Sequence, residues 1–199
     1  YDGLVTTTQS VAVRLTPDGA WDSSFGDNGL IVVNPQSATA GSLAESVKIQ
    51  PNGKIVIGGM TGWASTEDFY VTRLTSSGVS DTSFGPTSNG SIVIDFGGST
   101  DRAKGVVIES DGKIVVGGFT DAGSSLDFAL ARLTSSGALD TSFSSDGKET
   151  LDFNGAGAKD KAWAVSLAGN GNIILGGMTV TGSDRDWAMA QFLSPTDPA

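Results

Sequence analysis

The chain has 199 residues, 38% apolar and only 17% charged, with a formal charge of −10 and neither cysteine nor histidine. That removes disulfides, thiolate nucleophiles, Cys/His metal sites and His-dependent triads, and the acidic balance disfavours phosphate backbones and anionic bilayers. No apolar run approaches the roughly 20 residues of a membrane-spanning helix, so neither nucleic-acid binding nor membrane insertion is expected.

Taken from Tyr1, a start without methionine that suggests a processed or excised product, the first strand signal is Val11 to Leu15. Asp18, Asp22, Asp27 and Asn28 then crowd one loop with Gly19, Gly26 and Gly29. Calcium takes six to eight oxygens from flexible loops of this kind, so these four residues are calcium candidates. The alternating ligand spacing of an EF-hand ending in Glu is absent, and turn capping is the competing reading. Leu30 to Val33 is the next strand.

From there the chain repeats. Lys54-Ile55-Val56-Ile57-Gly58-Gly59 returns 59 positions later as Lys113 to Gly118, and after another 59 as Asn172 to Gly177. Arg14-Leu15, Arg73-Leu74, Arg132-Leu133 and Gln191-Phe192 keep the same interval. A fixed period of this length marks a repeat architecture, whose units bury their faces against one another.

One unit can be followed from Ala103. Ala103 to Ile108 alternates small and larger residues and reads as a strand. Asp111-Gly112 follows, matched by Asn52-Gly53 and Asn170-Gly171, and predicts a hairpin with a type I′ turn. Ile114 to Val116 is apolar on both faces, so it is expected to be covered on both. Gly117-Gly118 permits close approach by a neighbouring backbone. Asp127 to Leu133 is a third strand. Leu139-Asp140-Thr141-Ser142-Phe143, with Asp22 and Asp81 in the matching loops, suits an Asx turn whose Phe anchors the loop. Leu30 to Val33, Ile92 to Phe96 and Thr150 to Phe153 close the units. No segment has a helical period of useful length.

The run Asp111 to Gly118, then Asp127-Phe128-Ala129-Leu130-Ala131-Arg132-Leu133, then Leu139 to Phe143, with Asp95-Phe96-Gly97-Gly98, resembles the bacterial delta-60 repeat, a β-propeller-like family of unknown function. The resemblance implies four-stranded blades and an extracellular or cell-surface location, and carries over no catalytic residues. The expected fold is all-β, with three tandem four-stranded antiparallel blades and an extra N-terminal strand. It forms one repeat domain over 1–193, with units at 29–75, 90–134 and 148–193, the extra strand at 11–15 and a tail at 194–199. Closed propellers usually have four to eight blades. Three units are therefore part of a larger propeller, an open arc, or completed by other chains. In the last case Val11, Val13 and Leu15 are the natural strand donor, because edge strands attract strands from other chains.

The repeated carboxylates fall in two sets: Asp22, Asp81 and Asp140, and Asp68, Asp127 and Asp186. Calcium or acid/base work competes with turn capping and pairing to Arg14, Arg73 and Arg132, and the recurrence favours the structural role. Glu45, Glu67, Glu109 and Glu149 are the non-repeating acids, for which surface solvation is the simpler reading. Trp187 replaces Phe69 and Phe128 and is expected in the core. Trp21, Trp63 and Trp163 break the repeat and are candidates for ligand contact, since exposed aromatics suit sugar stacking or protein interfaces. The expected function is a non-catalytic, exported structural or interaction protein that self-associates into a filament or oligomer. The alternative is a recognition module for carbohydrate or a surface protein. No cofactor is expected apart from that calcium.

Overall fold

A computed structural model of the chain describes residues 8–33, 35, 41–62, 66–123, 125–155 and 157–193. Trp63 and the tail from 194 to 199 lie outside them. Thirteen strands run in order: β1 (Ser10–Val13), β2 (Leu30–Val33), β3 (Ser42–Ile49), β4 (Ile55–Thr61), β5 (Asp68–Leu74), β6 (Ser91–Ile94), β7 (Arg102–Ile108), β8 (Ile114–Thr120), β9 (Asp127–Leu133), β10 (Lys148–Leu151), β11 (Lys161–Leu167), β12 (Ile173–Thr181) and β13 (Asp184–Phe192). The described residues contain no helix.

They form four antiparallel sheets of consecutive strands: β1-β2, β3-β4-β5-β6, β7-β8-β9-β10 and β11-β12-β13. The all-β architecture is as expected, but the count of three four-stranded blades is not. Two sheets have four strands, one has three and one has two. The N-terminal strand is not a lone extra, because Ser10 pairs with Val33 and Val13 with Leu30. The closing strand of each unit turns back onto the strand before it, as Ser91 does onto Thr72, so Leu30–Val33 completes the sheet of β1 instead of opening the next one. Among the described residues the sheets do not close into a ring.

The hairpins exist as expected, with a different turn. Glu109 and Gly112 form a reverse turn through Gly112 N–H to Glu109 C=O at 2.9 Å, and Glu109 N–H then bonds Lys113 C=O at 2.9 Å. Gly112 has φ 86°, whereas Asp111 is not in the left-handed region. This is a three-residue loop ending on a left-handed Gly, not a type I′ turn. Asp111 Oδ1 accepts the N–H of Lys113 at 3.1 Å, which explains why Asn or Asp stands there in every copy.

The two glycines of each Gly-Gly pair do different jobs. A β-bulge falls between Ala103 and Gly105, and the equivalent bulges fall between Ala44 and Ser46 and between Ala162 and Ala164. A Cβ on Gly59, Gly118 or Gly177 would run into the carbonyl oxygen of Leu43, Arg102 or Lys161 at these bulges. The first glycine of the pair instead faces the next sheet: a Cβ on Gly58 would meet the Val106 side chain, and one on Gly117 that of Leu175.

This packing builds three core clusters at the sheet junctions. Val56, Phe69 and Val71 of the second sheet pack with Val106, Ile114, Ala129 and Leu133 of the third. Val115, Phe128 and Leu130, on the third sheet's other face, pack with Ala162, Ile173, Leu175, Ala188 and Ala190 of the fourth. The first and second sheets share Val33, Ile57, Tyr70 and Leu74. Each fully buried Val or Leu contributes about 1.5–3 kcal/mol, so the sheets are held chiefly by their neighbours.

Candidate functional site

The loops after the third strand of each unit hold one repeated assembly. Asp22, Asp81 and Asp140 each accept the backbone N–H of the Ser two residues on, at 3.0, 3.2 and 3.1 Å. The other oxygen takes the Nε–H of Arg14, Arg73 or Arg132 at 2.7, 2.6 and 2.9 Å. Each guanidinium lies over the ring of Phe25, Phe84 or Phe143, 4.8, 4.5 and 4.7 Å from its centroid. Capping and ion pairing thus occupy the same carboxylate. Burial raises the Asp81 carboxyl, but Lys54, Ser83 and Arg73 outweigh it and hold the group well below the usual range. Asp140 is lowered on the same balance, by Ser142, Arg132 and Lys113.

The other calcium candidates are committed locally. Asp18 accepts the Thr16 hydroxyl, and Asn28 donates to Asp27 Oδ1 at 3.0 Å. Among the described residues these acids do not gather into a set of three that could hold an ion. Of the non-repeating glutamates, Glu67 receives Arg102 at 2.5 and 2.8 Å, Glu45 pairs with Lys104 across two sheets and Glu109 lies 3.9 Å from Arg132.

Asp68 and Asp127 behave differently from the loop aspartates. Neither forms an ion pair among the described residues; each is drawn into a carboxylate triad instead. Asp68, Asp95 and Asp101 form one triad, and Asp127, Asp152 and Asp160 the other, with oxygens within 4.8 Å of one another in each. The triads sit where the chain leaves one sheet for the next. Burial and then the charges of Asp95 and Asp101 push Asp68 up to about 6. Burial pushes Asp127 up as well, against a hydrogen bond from Ser125 and with help from Asp152 and Asp160. The 59-residue period marks Asp68 and Asp127 in the sequence. Asp101 and Asp160 keep the same spacing ahead of a strand, and Asp95 and Asp152 each precede a Phe, but nothing along the chain links them to those aspartates.

Among the described residues, apolar surface is left uncovered at both ends of the stack. Val71 and Leu130 are fully buried, whereas Met189 at the same repeat position is 71% exposed. Trp187 is 95% exposed, so it is not a core residue. Phe69 and Phe128 are buried under Phe96 and Phe153, at 5.0 Å between centroids, and among the described residues nothing comparable covers Trp187. A Cβ on Gly176 would meet nothing within 4 Å. Trp163 joins Trp187 and Met189 around a shallow cavity of about 390 Å³, with its ring 5.9 Å from Phe119 and 5.5 Å from the Lys104 ammonium. At the other end Val47 and Ile49 are 59% and 71% exposed, although Val106, the counterpart of Val47, is buried. There Val11, Val13, Val47, Ile49 and Ile55 line a groove of about 460 Å³ between β1 and the β3–β4 face. Leu15 is also exposed, and Trp21 is exposed beside it through an isolated bridge.

The model of a family described as "Domain of unknown function (DUF5122) beta-propeller" matches residues 50–84 and 109–143. The repeat is propeller-like. Both matched segments run from a hairpin turn through the second and third strands to the anchoring Phe, the part of the unit that recurs most faithfully. No curated protein matches the chain.

Proposed function

We propose that this protein is a non-catalytic, exported structural or interaction module of the delta-60 type that self-associates through its two open sheet ends. The observation that supports this reading is the matched pair of unfilled contacts. Val106 of the third sheet fills the space over Gly58, while Val47 projects into solvent at one end and Gly176 lies bare at the other. The surface offered by one end has the chemistry that covers the other end's counterparts inside the stack. Among the described residues the β11–β13 sheet has no closing strand of the kind that β6 and β10 provide elsewhere. The β1–β2 pair of a second copy, with Val11, Val13 and Leu15 exposed, carries a strand of that closing type. Such a contact is heterologous, and repetition gives rings or filaments.

The test is mass by analytical ultracentrifugation with two variants, Val47→Lys and Met189→Lys, each altering a residue exposed in the single chain. The wild type should form multimers whose size rises with concentration. Each variant alone should be monomeric, and an equal mixture should form dimers, because one intact end of each kind remains. A wild type that stays monomeric at high concentration overturns the proposal.

A second reading, recognition of carbohydrate or a surface protein, is favoured by the exposed Trp187 beside Trp163. It predicts glycan or partner binding that is lost in Trp187→Ala while the wild type remains a monomer.

A further inference from the structure

The triad at the junction of the third and fourth sheets has a feature its twin lacks. Asp101 is fully buried and uses both oxygens: Oδ2 accepts Phe96 N–H at 2.7 Å and Oδ1 accepts the Thr120 hydroxyl. Asp160 is equally buried, and its Oδ2 accepts Phe153 N–H at 2.7 Å. Its Oδ1 has no hydrogen-bond partner among the described residues. The threonine equivalent to Thr120 is Thr179, whose hydroxyl oxygen instead accepts Asn154 Nδ2–H at 2.7 Å. A buried carboxylate oxygen without a donor is costly. Here it belongs to the group that closes the triad on its buried side, with Asp127 half-buried and Asp152 exposed. No Lys or Arg among the described residues forms an ion pair with any of the three.

We propose that Asp127, Asp152 and Asp160 bind a hard divalent cation, calcium in particular. Three carboxylates supply an all-oxygen set with a charge of −3, and the exposed side at Asp152 leaves room for waters to complete the six to eight ligands that calcium takes. The ion supplies the partner that Asp160 Oδ1 lacks and cancels the repulsion within the triad. It also pins the crossing between two sheets by joining the start of β9, the end of β10 and the entry to β11. The twin triad, where both oxygens of Asp101 already have donors, has no orphaned oxygen for an ion to satisfy and is not assigned one.

The experiment is calorimetric titration of chelator-treated protein with calcium chloride, alongside thermal unfolding. Expected is one saturable site, with Tm raised by about 5–10 °C once calcium is at a hundredfold excess over Kd. Asp152→Asn, which alters the exposed member and spares the buried one, should lose both the site and the Tm shift. Asp18→Asn, in the N-terminal loop, should keep both. Absence of saturable binding up to millimolar calcium, or binding retained in Asp152→Asn, overturns the assignment.

Discussion

Gly58, Gly117 and Gly176 occupy one repeat position in three surroundings, and replacing each by Ala separates inter-sheet packing from backbone entropy. None has a positive φ, so Ala fits the backbone at all three. A new methyl at position 58 collides with the Val106 side chain, which is itself buried and stiff at χ1. At 117 it collides with the end of Leu175 and lies 3.2 Å from Val165 Cβ. At 176 it meets nothing. Overpacking costs about 1–3 kcal/mol, and removing a glycine returns about 0.4–1 kcal/mol through the unfolded state. Gly58→Ala should therefore lose about 1–2 kcal/mol, and Gly117→Ala somewhat less because a leucine terminus can rotate. Gly176→Ala should gain up to about 1 kcal/mol. For a chain of this size the first is a fall in Tm of about 3–6 °C and the last a rise of about 1–3 °C. The assay is urea and thermal unfolding in dilute solution. Equal losses at all three positions would show that the glycines matter for their strands and not for the stacking of sheets, and the packing argument would fail.

Arg132→Ala should cost about 3 kcal/mol in urea unfolding, because it removes the buried partner of Asp140 and leaves that carboxylate only Ser142 and the longer contact to Lys113 at 3.6 Å. Arg14→Ala, in the more exposed copy of the same pair, should cost under about 1 kcal/mol. Acid should act on the carboxylates in two directions. Asp81 and Asp140 are held below their usual value of 3.8, so their contribution is complete above about pH 5 and drains away as pH falls below about 4. Asp68, pushed up to about 6, holds its proton more tightly folded than unfolded, so it adds stability as pH falls from about 7 to about 4. Chelator-treated protein should therefore be most stable near pH 5, and Asp68→Asn should flatten the slope between pH 5 and 7; an optimum above pH 7 would contradict this. Acrylamide should quench the Trp187 emission strongly in dilute protein, as a comparison with Trp187→Phe reveals. If a second copy covers that face, quenching should weaken as concentration rises.

The sequence by itself settled the local pieces. The 59-residue period, the Asn/Asp-Gly turns and the Asp-x-Ser-Phe loops depend on neighbours along the chain, and each turned up in its expected role. The turn type is not legible along the chain, because a left-handed Gly suits both a two-residue and a three-residue loop and the hydrogen bond from Gly112 to Glu109 is what separates them. Which strand closes which sheet was not legible either, since Leu30–Val33 could lie against the strand before it or the strand after it until pairing chose β1. Trp187 looks like its counterparts Phe69 and Phe128 along the chain, yet it is exposed because burial is conferred by the next layer. The triads show the same division. Asp127 and Asp152 are brought together by the pairing that sets Leu151 against Phe128 at the ends of β9 and β10, and the turn into the fourth sheet returns Asp160 to them; none of this is written in the residues themselves.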